Sequence, residues 1–155
     1  MALSDVAILK FIESGEMGIH PFEESRLSPA GYDLGAAKNT VLKPKEQQLV
    51  ATLERVEIPS TLLGILHLRS SFAREGLVAS LAVVDPGFRG QLTVSLVNVG
   101  KKSVKIAHGE SFLQLTFIQL SSESKRPYDG HYQNSSGIVE SKREVTSSLV
   151  QEGRD

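Results

Sequence analysis

A single change of period constrains this chain more than anything else in it. Up to Gly15 the apolar residues recur at helical spacing, and from Gln47 onward they alternate one by one. The segment Ser4–Gly15 puts Ile8, Phe11 and Ile12 on one helical face, with Ser4 placed to cap the helix. Asp5 favours its positive end, and Gly15 can close it in a left-handed conformation. The alternating runs are Gln47–Ile58, Leu63–Leu68, Leu77–Val84, Gln91–Val99, Val104–Ala107 and Phe112–Leu120. Pro, Gly or Asn-Val-Gly-Lys-Lys connections separate them. In Gln91–Asn98, Leu92, Val94 and Leu96 face one way and Thr93, Ser95 and Val97 the other. In Phe112–Phe117, Leu113, Leu115 and Phe117 share a face opposite Gln114 and Thr116. Short strands of this kind, with frequent turns, predict an all-β barrel or jelly roll carrying one short N-terminal helix.

Composition narrows the chemistry. The 155 residues carry a 40% apolar fraction, which is enough for one packed domain. That domain is expected over residues 1–142, with a polar, mobile tail over 143–155. A net charge of −1 gives no basic footprint for nucleic acid and no polybasic membrane patch. An anionic ligand would therefore be held by a few placed donors. The absence of cysteine removes disulfides, thiol catalysis and the zinc-type base deaminases. His20, His67, His108 and His131 show no metal-binding spacing and read as surface or turn residues. With no leader-like or membrane-spanning stretch, a cytoplasmic location is expected.

The segment Ala82–Asn98 sets Asp85 between the apolar pair Val83-Val84 and Pro86-Gly87-Phe88. A carboxylate there is aimed and partly desolvated, which suits a general base. The same residues also make a β-turn, with Asp at its first position and Pro at its second. Leu68-Arg69-Ser70-Ser71-Phe72-Ala73-Arg74 places two hydroxyls and two guanidiniums at a strand-to-helix junction, a setting that suits an anion. Ala30-Gly31-Tyr32-Asp33-Leu34 opens a strand, and His108–Leu115 leads into a strand whose outer face carries Gln114. Tyr132-Gln133-Asn134-Ser135-Ser136-Gly137 is a polar stretch able to lie over a ligand.

In this order, A-G-Y-D-L, R-S-S-x-A, V-D-x-G-F-R-G and G-E-x-x-x-Q-L resemble the dUTPase and dCTP deaminase superfamily over about residues 1–142. The resemblance implies a distorted β-barrel or jelly roll of the dUTPase-like type. It also implies a homotrimer with its active sites between subunits. In the dUTPase branch, Asp85 would activate the water that attacks the α-phosphate. Arg69, Ser70, Ser71, Arg74 and Gln114 would hold phosphates, Phe88 would stack on deoxyribose, and Tyr132 would help to cover the substrate. Asp33 would lie near the waters of a magnesium ion, Mg2+, coordinated by the phosphates and not directly by protein.

In the deaminase branch, water attacks C4 of cytosine without metal, and a glutamate shuttles the proton beside residues matching Ser70 and Arg74. Alignment of the turn puts Ser95 where that glutamate belongs, and a serine cannot serve as base and then acid near neutral pH. Arg74-Glu75-Gly76-Leu77, Asp85-Pro86-Gly87 and Arg126-Pro127-Tyr128 nonetheless look deaminase-like. The expectation on this balance is hydrolysis of dUTP to dUMP and pyrophosphate with Mg2+. A dCTP deaminase, bifunctional or not, is the alternative, and a nucleotide-binding homologue without turnover is the third reading.

Overall fold

The computed structural model describes residues 1–143. Helix α1 (Asp5–Glu13) is followed by β1 (Gly18–His20), a 3-10 turn (Glu24–Arg26), β2 (Leu27–Ser28), β3 (Gly31–Gly35) and β4 (Thr40–Leu42). Then come β5 (Gln47–Glu57), β6 (Leu62–Leu68), the short helix α2 (Ser70–Arg74), β7 (Leu77–Ser80) and β8 (Val83–Val84). The chain continues through β9 (Arg89–Asn98), β10 (Val104–Ile106) and β11 (Ser111–Gln119). A four-stranded sheet runs β1-β5-β9-β7, a five-stranded sheet runs β2-β3-β11-β6-β8, and β10 pairs with β4. One apolar core draws on all three sheets, through Leu92, Val94 and Leu96, through Leu113, Leu115 and Phe117, and through Leu42, Val104 and Ile106. This is a mostly β fold with a short N-terminal helix.

Local chemistry accounts for the elements that the sequence announces. The Ser4 hydroxyl accepts the Ala7 N–H at 3.4 Å, Ile8 is fully buried, and Gly15 sits at φ +75° past the helix end. Along β9 the side chains alternate between buried and half-buried as the period-two pattern requires. One expected strand is divided. Leu77–Val84 breaks at Leu81-Ala82, so that β7 pairs with β9 while β8 pairs with β6 in the other sheet. The apolar run is continuous because each half feeds the same core, and periodicity does not report a change of sheet.

β5 departs from regularity at one place. Its register against β9 shifts between Ala51 and Arg55, and Thr52 and Glu54 turn inward there. The Thr52 hydroxyl accepts the Leu92 N–H at 2.9 Å and donates to the Glu54 carbonyl at 2.8 Å. Glu54 accepts the Gly35 N–H at 2.9 Å and faces the Arg26 guanidinium at 3.6 Å. Arg26 also donates to the Gly109 carbonyl at 2.8 Å and to the Ser111 hydroxyl at 3.1 Å. Each buried polar atom in this knot therefore has a partner. The expected tail, except for Arg143, lies outside the described residues.

Candidate functional site

The pocket of interest forms beside β9, where β7 stops. β7 covers one edge of β9 from Ser95 to Asn98, with Ser80 opposite Ser95. Over the earlier half of that edge a strap from the C-terminal region takes its place. Asn134 N–H donates to the Arg89 carbonyl at 2.7 Å, Gln91 N–H donates to the Ser135 carbonyl at 2.9 Å, and Gly90 bridges Ser135 in parallel. A side chain on Gly90 would bring a Cβ within 2.8 Å of the Ser135 nitrogen, so the close approach needs glycine. Beyond Ser135 the strap is held by outward side chains of β9. Gly137 N–H donates to Gln91 Oε1 at 2.6 Å, and Val139 N–H donates to Thr93 Oγ1 at 3.2 Å. Lys142 N–H then donates to the Tyr132 hydroxyl at 3.0 Å.

These segments enclose a cavity of about 560 Å³, a size that suits a nucleotide-sized ligand. Ser80, Ala82, Asp85, Phe88, Ser95 and Tyr128 line it, together with Tyr132, Glu140 and Ser141 from the C-terminal region. Asp85 begins a turn whose carbonyl accepts the Phe88 N–H at 3.0 Å, with Gly87 at φ +88°. Both sequence readings of this residue therefore describe the same position, a turn acid that is also exposed to the cavity. Phe88 is nearly buried and meets Tyr128 edge-on at 5.7 Å between centroids. Ser95 accepts a hydrogen bond from the Gln47 amide at 2.7 Å.

Of the expected site residues, Asp85, Phe88 and Tyr132 share this cavity, and the others do not. Arg69, Ser70, Ser71 and Arg74 are exposed around α2, at the end of β6 in the five-stranded sheet. Arg69 forms an ion pair with Asp33 across that sheet. Gln114 is paired with Asp33 on the neighbouring strand and donates to the Ser28 hydroxyl at 2.7 Å. Within one chain the expected site is thus two half-sites. Burial raises the Asp33 carboxyl above its ordinary range, and the Arg69 and Arg26 guanidiniums only partly offset this. Glu54 is raised in the same way, by burial first.

The sequence reading missed Glu140, Tyr128, Gln91 and Thr93 as parts of the cavity. Gln91 and Thr93 were legible as outward positions of a strand. What the pattern did not contain was the parallel course of residues 134–139 beside them. The stretch expected to lie over a ligand does run along this cavity. As for Mg2+, no group of three or more His, Asp or Glu side chains suited to a metal occurs among the described residues. Asp33 is engaged by Arg69. These residues do not form a protein cage for the ion, and no step is assigned to it.

Comparison with known proteins places the fold. The profile of the family described as dCTP deaminase-like matches residues 35–120, which carry β4 to β11 and the turn at Asp85. The chain belongs to this family. A dCTP deaminase of Thermococcus gammatolerans is 43% identical over 84% of this chain and 92% of its own length. A probable deoxyuridine 5'-triphosphate nucleotidohydrolase of Sulfolobus islandicus rod-shaped virus 1 is 33% identical, covering 93% of this chain and all (100%) of its own. Among solved structures, the native EIAV dUTPase superposes with a TM-score of 0.59 at 27% identity, over 74% of this chain and 96% of that one. A phage phi11 dUTPase mutant, 19% identical with a TM-score of 0.57, is described with a structural Mg(II) ion, so magnesium occurs among proteins of this fold.

These relationships correct the expected activity. The reading as a dUTP diphosphatase is overturned, because the higher identity goes to dCTP deaminases and dUTPases match at greater distance. The expectation rested on Ser95, which stands where the deaminase pattern has its glutamate. Folding places Glu140 on the wall of the same cavity, 45 positions further along the chain. The protein is an enzyme of the dCTP deaminase and dUTPase group in pyrimidine nucleotide metabolism.

Proposed function

We propose that this chain deaminates dCTP, converting it with water to dUTP and ammonia in the cytoplasm. The observation that carries this reading is the 43% identity to a dCTP deaminase over 84% of this chain. The reaction is a hydrolysis without redox change. Water oxygen bonds to C4, the C4–N4 bond breaks, and protons pass from water to N3 and to the departing nitrogen.

The parts of the cavity suit different parts of the nucleotide. Leu81 and Ala82 lie between β7 and β8, outside the strand ladders, so that main-chain groups there can read the edge of the base. Ser95 is opposite Ser80, so the C4 end of the base falls there. Phe88 offers an apolar wall to the sugar, and Asp85 an acceptor for its hydroxyl. The triphosphate requires the guanidiniums and hydroxyls of Arg69, Ser70, Ser71 and Arg74, with Gln114, and these belong to the other half-site. We infer that a second copy of the chain supplies them, in a homotrimer with its sites between subunits. Magnesium then enters as part of the nucleotide substrate.

The test is incubation with dCTP and, separately, dUTP, each with and without magnesium, followed by separation of the products. Ammonia and a uracil nucleotide from dCTP are expected. Pyrophosphate from dUTP with no ammonia from dCTP would overturn the proposal. Binding of dCTP without any turnover would favour the nucleotide-binding homologue, for which Ser95 is the specific argument.

A further inference from the structure

The deaminase reading leaves one requirement unmet on β9. A single group has to accept a proton from the attacking water and return it to N3 and then to the leaving amine, and a hydroxyl such as that of Ser95 cannot do so near neutral pH. Two carboxylates line the cavity, Asp85 and Glu140. Asp85 begins the turn that precedes β9, with its carbonyl on the Phe88 N–H. Seven residues of strand separate Phe88 from Ser95, which is roughly 20 Å at the rise of an extended chain. That carboxylate is at the sugar end.

Glu140 is placed differently. The strap advances in step with β9, with Gly137 bonded to Gln91 and Val139 bonded to Thr93. The next outward position on β9 is Ser95, and the next strap residues are Glu140 and Ser141. Anchors flank this pair, since Val139 N–H is fixed to Thr93 and Lys142 N–H to the Tyr132 hydroxyl. Lys142 is further held by donating from Nζ to the His131 carbonyl at 2.7 Å. The Glu140 carboxylate has no hydrogen-bond or ion-pair partner among the described residues, although its backbone is confined on both sides.

We propose that Glu140 is the proton-shuttling catalytic residue of this protein, delivered by the strap to the place where Ser95 leaves β9 without an acid. The assignment rests on the deaminase reading. Glu140 takes a proton from water as the oxygen bonds to C4, and it passes that proton to N3. The resulting C4 hydroxyl gives its proton to Glu140, which passes it to the amino nitrogen as the C4–N4 bond breaks. Ammonia leaves, the C4 carbonyl of uracil remains, and the carboxylate is regenerated.

The experiment compares wild type, Glu140→Gln and the double variant Ser95→Glu/Glu140→Gln. Ammonia release from dCTP is measured together with dCTP binding by calorimetry and thermal melting. Glu140→Gln should lose at least about 100-fold in turnover, as expected for loss of an acid–base group, with binding and melting unchanged because the side chain is exposed. The double variant should regain turnover, since it returns a carboxylate to the same place from the strand. Near-normal turnover in Glu140→Gln overturns the assignment and leaves the deaminase reading standing. Loss of dCTP binding along with turnover overturns it too, by giving Glu140 a binding role. A wild type that releases no ammonia overturns the deaminase reading, and this assignment with it.

Discussion

Glu54 and Glu140 belong to the two segments that flank β9, yet they are held in opposite ways. Glu54 lies in the bulge of β5, almost fully buried, with Gly35 N–H on one oxygen and Arg26 facing the other. Glu140 rides on the strap with its backbone anchored and its carboxylate in the cavity. A buried charge with its partners in place is expensive to disturb and has no hydrogen-bonding capacity left for a ligand. A carboxylate held in position but without protein partners contributes little to the fold and can exchange protons with whatever enters. The difference separates a group that keeps the barrel's shape from one that is available for chemistry.

The comparison is most easily broken at Glu54. Glu54→Ala would leave Arg26 and the Gly35 N–H without their acceptor, at a cost of about 3 kcal/mol or more in denaturant unfolding. Glu140→Ala should unfold at nearly the wild-type midpoint. The same contrast has a pH signature. Because burial raises Glu54 in the folded state from its ordinary value of 4.5, its contribution is fully present below that value. It is lost as pH rises through the raised one. Glu54→Gln should therefore show a shallower fall in stability than wild type across that window, measured by urea unfolding at successive pH values.

Smaller effects sharpen the picture. Gly87→Ala must adopt φ +88° and place a Cβ 2.6 Å from that of Pro127. A loss of about 1–3 kcal/mol is expected in chemical unfolding. Thr93→Val removes the acceptor for Val139 N–H and the donor to the Gly137 carbonyl, for about 1 kcal/mol confined to the strap. Hydrogen exchange at the Val139 amide should quicken while the core amides stay protected. Asp33→Asn breaks only a partly exposed pair with Arg69. It should change the unfolding free energy by less than about 1 kcal/mol.

Much of the barrel was legible because alternation along a strand is a local property. Leu92, Val94 and Leu96 are buried and Thr93 and Ser95 outward in the chain as in the sequence pattern. The turn at Asp85 and the junction at Ser70 were legible for the same reason. The short strands β1, β2 and β4 were not, since two or three residues carry no measurable period. The site was legible only in parts. Ser95 could be seen to lack an acid, but Glu140, which lines the same cavity, comes from a segment joined to β9 through the Gln91 and Thr93 side chains. A contact of that kind leaves no periodic trace in either partner.

That mode of attachment has a consequence for how the protein can vary. The strap is tied to β9 by two outward side chains and one short parallel bridge, whereas the inward residues of the same strand build the core. The alternation of β9 thus divides one strand into two independent inheritances. Substitutions at Thr93 and Ser95 can loosen, tighten or re-equip the cavity, while Gln91, whose amide also donates to the Thr52 and Leu53 carbonyls, belongs to the barrel as well. The even-numbered positions go on specifying the barrel unchanged.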